Sequence, residues 1–412
     1  MKTAGIVAEF NPFHNGHLSL FRRLKENGAT HLAVAMSGNF VQRGEPAILS
    51  KWARARQALL CGADLVVEIP LPWAVAGAEK FAFGGVSLLA ALGADVLGFG
   101  SECGSAGQLR KASAALASPL LRQVLQKELK SGATFAAARQ KAVRGLFGEE
   151  TADLLRGPNN ILGIEYLKAM KRLGSSMAPF TVRRAGAGHD ASRGEGTSAS
   201  SARLRTLIRS GRDCGAFLPP PAAGVLREEL KAGRAPAGLS YVERGVLAKL
   251  RTMSREDFSR LPDLSEGLEN RIYAASRRAG ALSELYGLAK TKRYTLARIR
   301  RIVLSAFLGI RASDSAGPVP YLRVLGIGRG GAAILRNASK TGLLPVISRH
   351  SELPALNPPA QRILRLEERA ADLYALCTPA VQPCGLDDTA GVVTLPDSMG
   401  EGASVENSGN RI

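Results

Sequence analysis

The sequence is poor in acidic residues and lacks paired cysteines, and each deficit argues against whole classes of protein. Only 35 Asp and Glu stand against 55 Lys and Arg, so the formal net charge is +20 over 412 residues. This excess predicts a polyanionic partner: RNA, DNA, nucleotide phosphates or an anionic membrane. The five cysteines are widely spaced and form no CxxC pair, so neither a disulfide framework nor a zinc ribbon is expected. A reduced, cytoplasmic protein is predicted.

Signals for secretion and membrane insertion are also lacking. The first ten residues contain one Lys and a short apolar run that ends at Glu9, unlike a signal peptide. The most apolar stretch, 81–100, contains Asp95 and five glycines. It divides into a helical pattern at 86–92 and a strand pattern at 95–99, which favours a buried α/β segment over a membrane span.

The first half of the chain alternates between two hydrophobic patterns. Apolar runs at 4–9, 31–36, 64–69 and 95–99 alternate with helical patterns at 18–26, 52–60 and 86–92. This alternation predicts an α/β fold with a parallel sheet and crossover helices. Domains are predicted at 1–215 and, mainly helical, at 224–384. The proline-rich stretch 217–223 is interpreted as a stiff linker, and 385–412 as a disordered tail.

The strongest motif is His14-Asn15-Gly16-His17, which follows the first apolar run. Two imidazoles three residues apart at a helix start lie on one side, where helix amides attract phosphate. Gly16 allows a phosphate to approach the backbone closely. Such donors suit in-line attack at an α-phosphorus, where charge grows on the phosphoryl oxygens. The alternative is a surface loop with two histidines.

This motif resembles the (H/T)xGH signature of the nucleotidyltransferase superfamily, whose members have a Rossmann-like fold and transfer or activate with AMP. The superfamily's second signature, ISSTxIR, resembles 197–203, with Thr197 and Ala202 replacing the isoleucines. The serines there can cap a helix, and Arg203 can hold the β- and γ-phosphates. Taken alone, the segment could equally be a capping loop.

A closer resemblance, to the tRNA(Met) cytidine acetate ligase family, extends to about residue 349. It is carried by segments that occur in the family's order and spacing: 7–17, 36–59, 62–74, 99–102, 158–169, 184–189, 291–310 and 321–327. The resemblance implies that the protein activates acetate with ATP and acetylates N4 of the wobble cytidine of elongator tRNA(Met), forming N4-acetylcytidine. Binding to DNA or to a membrane is not expected. Mg²⁺ is expected to screen the triphosphate, and no metal-ligating residues are predicted.

The resemblance also implies site residues. His14 and His17 are the expected catalytic pair. The expected ATP contacts are Val7, Ala8, Glu9, Phe10, Asn11, Pro12, Phe13, His14, Asn15, Gly16, His17, Leu18, Ser19, Leu20, Gly100, Asn159, Arg184 and Arg203. From the residues alone, Asn159 is better explained as a helix cap. One departure from the family pattern is the absence of a Tyr before His189.

The remaining positive charge is concentrated at 271–301, which holds nine Lys and Arg against the single acid Glu284. With tyrosines interspersed, this block predicts an RNA surface, with Lys292, Arg293, Arg298, Arg300 and Arg301 as the contacts. The alternative is a solvated helix face.

Two further loops carry weaker signals. Arg43 and Lys51 are candidates for binding acetate, pyrophosphate or RNA, with a solvated loop as the alternative. The GxGxxG match at 326–331 is weak and is read as a turn.

Rival functions stay open on the sequence. A small-molecule adenylyltransferase shares the HNGH motif but needs no large basic extension. A class I aminoacyl-tRNA synthetase would need a KMSKS-like segment, which the sequence lacks. A non-catalytic RNA-binding protein would not need His14, Gly16 and His17.

Overall fold

A twisted mixed sheet forms the centre of the protein. The computed structural model describes residues 1–130, 134–184, 199–265, 267–348 and 350–395. The sheet comprises β1 (Thr3–Ala8), β2 (His31–Ser37), β5 (Leu65–Ile69), β6 (Val96–Ser101), β7 (Ala178–Arg183), β8 (Leu322–Ile327), β9 (Val346–Ile347) and β10 (Val393–Thr394), while β3 (Phe40–Val41) and β4 (Glu45–Pro46) form a separate hairpin. The order is β10-β8-β5-β2-β1-β6-β7, with β9 beside β8.

The five neighbouring strands β5, β2, β1, β6 and β7 are parallel to one another, whereas β8 runs antiparallel to β5. The central strands are buried along almost their whole length. This explains their continuous apolar sequences, because helices cover both faces of a parallel sheet. The parallel strands also bring the loops after β1, β2 and β6 to one edge of the sheet. That shared edge is the place where open α/β folds bind ligands.

Ten helices follow these strands up to residue 209. They are α1 (Asn15–Glu26), α2 (Lys51–Leu60), α3 (Leu71–Ala74), α4 (Ala78–Ala91), α5 (Ala106–Leu116), α6 (Pro119–Lys130), α7 (Phe135–Phe147), α8 (Glu149–Leu154), α9 (Pro158–Leu173) and α10 (Ser201–Arg209), all within the described ranges. Helix α4 lies directly on β1, since a Cβ on Gly85 would be 2.6 Å from Cγ1 of Val7.

The second half is mainly helical. Its helices are α11 (Pro220–Lys231), α12 (Glu243–Thr252), α13 (Arg255–Ser259), α14 (Leu268–Arg278), α15 (Leu282–Ala289), α16 (Leu296–Leu308), α17 (Gly331–Thr341), α18 (Pro358–Ala375) and α19 (Leu386–Thr389). Buried side chains such as Phe258, Ile272 and Val303 form its core, which also includes Phe40 and Leu71 from the first half. The two halves therefore share packed apolar surface. Among the described helices, none is long and apolar enough to cross a membrane.

The α/β prediction is confirmed, with shifts at element ends. Helix α1 begins at Asn15, three residues before the predicted 18–26, because His14 caps it. Helix α4 begins at Ala78, ahead of the predicted 86–92. The prolines of 217–223 start helix α11, whose first turn needs no proline N–H. Helix α11 packs on α2, where the Gln57 side-chain amide donates to the carbonyl of Ala222. The boundary between domains at 215–224 stays a prediction.

The predicted tail differs from the structure at its start. Residues 386–389 form α19, and 393–394 add strand β10 to the sheet. Asp387 forms buried ion pairs with Lys51 (2.6 Å) and Arg323 (2.8 Å). The sequence carries no periodic apolar pattern here because charge pairing and a two-residue strand anchor the segment. Residues 396–412 lie outside the described part of the chain.

Candidate active site

The two histidines of the HNGH motif lie together at the start of α1. His14 is the N-cap, and its Nδ1 accepts a hydrogen bond from the Gly16 amide (3.1 Å). The amide of His14 in turn donates to Nδ1 of His17 (3.2 Å). The rings stack with their centroids 3.8 Å apart. Because both Nδ1 atoms accept, each neutral ring carries its proton on Nε2.

Both imidazoles are held in the neutral form. Burial lowers the pKa of His14 to about 3, and the positive charge of Arg184 acts in the same direction. Burial also lowers the pKa of His17 well below its ordinary value, with further contributions from His14 and Arg184. At neutral pH the pair therefore offers two Nε2–H donors and no fixed positive charge. Neutral donors of this kind can stabilise charge that develops on a phosphoryl oxygen.

Aromatic packing and a buried arginine hold the loop that carries these rings. Phe10 and Phe13 contact the ring of His17 at centroid distances of 4.8 and 5.4 Å. Phe10 has a φ of +45°, a strained value for a bulky residue, so the surrounding structure must impose it. Arg54, which is fully buried, donates to the carbonyl oxygens of Glu9, Ser37, Gly38 and Leu49.

Arg54 thereby ties the ends of β1 and β2 together beneath the site. This residue cannot be identified from the sequence, because its four acceptors are backbone carbonyl oxygens, which leave no side-chain pattern.

A second cluster lies where β6, β7 and α9 meet. The Arg184 side chain crosses Gly100, where a Cβ would lie 3.1 Å from its Cγ. Arg184 Nη1 donates to Oδ1 of Asn159 (3.2 Å). Both carboxylate oxygens of Glu102 accept from the start of α9: Oε1 from N (3.0 Å) and Nδ2 (2.7 Å) of Asn159, and Oε2 from the Asn160 amide (2.6 Å).

The structure thus brings together Gly100, Asn159 and Arg184, three of the residues expected to contact ATP. Glu102 was missed as an organising residue, because it caps α9 from 57 positions earlier in the chain and no local pattern links it to that helix.

Helix α10 brings the second signature to the first. Ser200 caps this helix, and Oγ of Ser201 lies 3.1 Å from Nε2 of His14. Arg203 is exposed, and its guanidinium lies 5.5 Å from the ring centroid of Phe217. Residues 185–198, which include Thr197, Ser198 and His189, lie outside the described part of the chain. The contact between Ser201 and His14 spans 187 positions and could not be read from local sequence.

The other predicted positions are distributed around this edge. Val7 and Ala8 are buried in β1, and Asn11, Pro12 and Phe13 are buried in the loop; Leu18 and Leu20 are half-buried on α1, while Gly16 and Ser19 are exposed. The Asn15 side-chain amide donates to the carbonyl of Ala216.

Lys51 does not reach this edge as a free ligand. It is 1% exposed and paired with Glu68 and Asp387, so an acetate or phosphate role for it is wrong. Arg43 is exposed on the hairpin. The glycine turn at 326–331 begins α17 beside Asp64, at the opposite edge of the sheet, because β8 is antiparallel to β5.

The predicted RNA contacts differ in how they are held. Lys292 and Arg293 are exposed just before α16. Arg298 donates to the carbonyl of Asp263 (2.7 Å) and to Ser265, and Arg301 donates to the Asp263 carboxylate (2.8 Å). Two of the predicted cations therefore also stabilise the fold.

Comparisons with known proteins agree with this architecture. The family model described as HIGH Nucleotidyl Transferase matches residues 1–387. Curated relatives named tRNA(Met) cytidine acetate ligase include one from Acetivibrio thermocellus, 35% identical over 96% of this chain and 100% of the relative. Another, from Thermoanaerobacter sp. (strain X514), is 38% identical over 94% and 98%.

A solved structure of Thermotoga maritima TmcAL bound with alpha-thio ATP superposes with a TM-score of 0.89 at 30% identity, covering 96% of this chain and 99% of that one. Its apo form gives a TM-score of 0.90 at 31% identity, covering 96% and 100%.

Proposed function

The chain belongs to the tRNA(Met) cytidine acetate ligase family of HIGH nucleotidyl transferases, and we propose on this basis that it acetylates a tRNA with acetate and ATP. The product is N4-acetylcytidine at the wobble position of elongator tRNA(Met). One observation carries the proposal: the HNGH loop, Arg184 and the start of α10 converge at one sheet edge, in a fold solved elsewhere with an ATP analogue. A cytoplasmic location follows from these substrates.

The first step is the activation of acetate. A carboxylate oxygen of acetate attacks the α-phosphorus of ATP, the bond to the β-phosphate breaks, and acetyl-adenylate and pyrophosphate form. The Nε2–H groups of His14 and His17 donate to the non-bridging oxygens as their charge grows. Arg184 lies on the same side, and Arg203 with the amides of α10 would hold the leaving pyrophosphate.

The second step transfers the acetyl group. The exocyclic N4 of the cytidine attacks the acetyl carbonyl, a C–N bond forms, the bond from the carbonyl carbon to the phosphate oxygen of AMP breaks, and the proton lost from N4 leaves with AMP or to solvent. The base has to leave its stack to reach the adenylate. No group of three or more His, Cys, Asp or Glu in the described residues could cage a metal. Mg²⁺ would therefore arrive on the triphosphate, which needs few protein ligands, and no step is assigned to it.

The RNA is proposed to bind the surface formed by Lys292, Arg293, Arg298, Arg300 and Arg301. Two features support this surface. Its cations greatly outnumber the acids in the segment 271–301. The turn at Gly44 contacts the backbone at Arg300 and Arg301, so α16 lies against the hairpin that follows β2. A tRNA held on this surface lies beside the catalytic edge.

The proposal is tested with ATP, labelled acetate and tRNA(Met), followed by nucleoside analysis. We expect labelled N4-acetylcytidine and, without tRNA, acetate-dependent exchange of pyrophosphate into ATP. Exchange that depends on a nucleotide or on another acid would support a small-molecule adenylyltransferase instead. RNA binding without any exchange would support a non-catalytic RNA-binding protein.

A further inference from the structure

The β3–β4 hairpin connects the catalytic loop with helix α16. At its tip, Gly44 has a φ of +75°, and a Cβ there would lie 2.6 Å from both the Arg300 carbonyl carbon and the Arg301 nitrogen. The turn therefore touches the α16 backbone directly. On the other side, the Gln42 amide donates to Oε1 of Glu9, five residues before His14. The hairpin thus spans the distance between the proposed RNA surface and the site.

Four guanidinium groups lie around this hairpin, and three of them interact with the carboxylates of Glu9 and Glu45. Glu45 pairs with Arg205 Nε (3.4 Å) and Arg209 Nη2 (3.6 Å). Arg43 and Arg205 both act electrostatically on Glu9. The fourth group, on Arg300, joins them through a neighbouring tyrosine.

Arg300 lies 5.6 Å from the ring centroid of Tyr286. Burial raises the pKa of Tyr286 to about 12, and both Arg300 and Glu45 act on its hydroxyl, which places Arg300 in the same neighbourhood. Glu243, the other acid that acts on Tyr286, accepts a hydrogen bond from the Leu282 amide. Positive charge is therefore in excess at the hairpin.

Arg205 links this charge to the catalytic loop. Its Nη1 donates to the carbonyl of Asn11 (3.1 Å), and it is itself buried. Ser201, which contacts His14, lies four residues earlier on α10, an axial rise of about 6 Å. An anion bound above Arg205 is thus roughly one helical turn from the catalytic pair.

We propose that Arg43, Arg209 and Arg300, the hairpin patch, bind backbone phosphates next to the target cytidine. The inference rests on the proposed function and adds the place where the RNA strand enters the site. Guanidinium groups bind phosphate oxygens in bidentate fashion. An extruded base needs its flanking backbone held, because unstacking costs free energy that other contacts must offset. Arg43 on the hairpin and Arg209 on α10 are both exposed and so are accessible to a phosphate.

The test uses the full chain with Arg43→Gln, Arg209→Gln and Arg300→Gln combined. Arg122→Gln, an exposed arginine on α6 outside the patch, is the matched control. The Kd for tRNA(Met) is measured over a series of salt concentrations, the KM for ATP by acetate-dependent exchange without tRNA, and folding by thermal unfolding. We expect the Kd to rise about 10²-fold and the salt slope to fall by about 2 to 3, since each lost phosphate contact removes close to one unit. The control keeps the wild-type Kd and slope.

This experiment distinguishes the two possible sources of the bound phosphate, the tRNA backbone and ATP. A raised ATP KM with an unchanged tRNA Kd would show that the patch serves the nucleotide, and an unchanged Kd and slope would show that it binds neither; both overturn the inference. If wild-type protein shows no acetate-dependent exchange, the proposed function fails, whereas the tRNA arm still decides whether the patch binds RNA.

Discussion

The catalytic edge and the basic surface of α16 hold their polar groups in different ways. At the catalytic edge, backbone amides set the tautomers of His14 and His17, and burial keeps both rings neutral. On α16, the arginines are half-buried, and two of them share one partner, Asp263. The first arrangement favours one geometry for a charge that appears only during reaction. The second favours a high density of charge, which suits a polyanion.

Replacing a catalytic histidine tests the first half of this comparison and should have the largest effect. His14→Ala removes one Nε2–H donor and the N-cap of α1. We expect acetate-dependent exchange to fall about 10²–10³-fold, as for loss of one preorganised donor, while tRNA(Met) binding stays unchanged.

His31→Ala, at the opposite edge of the sheet, is the control and should keep wild-type exchange. A loss of less than tenfold in His14→Ala would show that the neutral pair does not stabilise the transition state.

Removing α19 and β10 tests how far the catalytic half depends on the end of the chain. A chain that ends after Gly385 loses Asp387 and leaves Lys51 and Arg323 buried with fewer partners. We expect a loss of about 3 kcal/mol in urea unfolding, at the low end for a broken buried pair, since Glu68 and Glu367 remain to balance the two cations.

A chain that ends after Leu395 is the matched control for this truncation. Equal stability of the two shortened chains would contradict a structural role for α19 and β10.

The same contrast explains which features the sequence predicts. The strands, the HNGH loop and the basic segment show in local patterns: apolar runs, a four-residue motif and a charge count. Ser201, Arg54 and Asp387 do not, because their partners lie far away in sequence or are backbone carbonyls. Glu102 is intermediate: it lies in a recognisable segment, but the donors on Asn159 that bond to its carboxylate are 57 positions away in the sequence.

Glu102 allows a sharper test of positioning at the catalytic edge. In Glu102→Gln, an amide NH₂ replaces one of the oxygens that accept from Asn159 and Asn160, at a cost of about 2 kcal/mol. We expect the ATP KM in the exchange assay to rise about 10- to 30-fold, because Asn159 no longer orients Arg184.

Glu256→Gln removes an exposed ion pair with Arg260 and serves as the control, with a wild-type KM. An unchanged ATP KM in Glu102→Gln would contradict a role of this carboxylate in positioning the residues that bind ATP.

Stability against pH provides a smaller, physical test of the buried pair. Between about pH 6.5 and 3 the unfolded chain protonates His14 and the folded chain does not, so stability falls as the pH falls through this window. The slope from this group is at most about 1.4 kcal/mol per pH unit. Because carboxylates also titrate in this range, the contribution of His14 is obtained as the difference in the pH dependence of unfolding free energy between wild type and His14→Asn. Lys292→Gln, on the basic surface, should retain the wild-type slope; identical slopes in wild type and His14→Asn would contradict a buried neutral ring.

The smallest expected effect separates cations of the α16 surface from one another. Lys292 is exposed, whereas Arg301 is mostly buried and bonded to Asp263. Lys292→Gln should lower the salt slope of tRNA(Met) binding by about 0.7 to 0.9, the value for one phosphate contact. Arg301→Gln should change that slope less and lower the unfolding temperature more, since it breaks an internal pair. Equal changes of the salt slope in both variants would mean that Arg301 contacts the RNA despite its internal bond to Asp263.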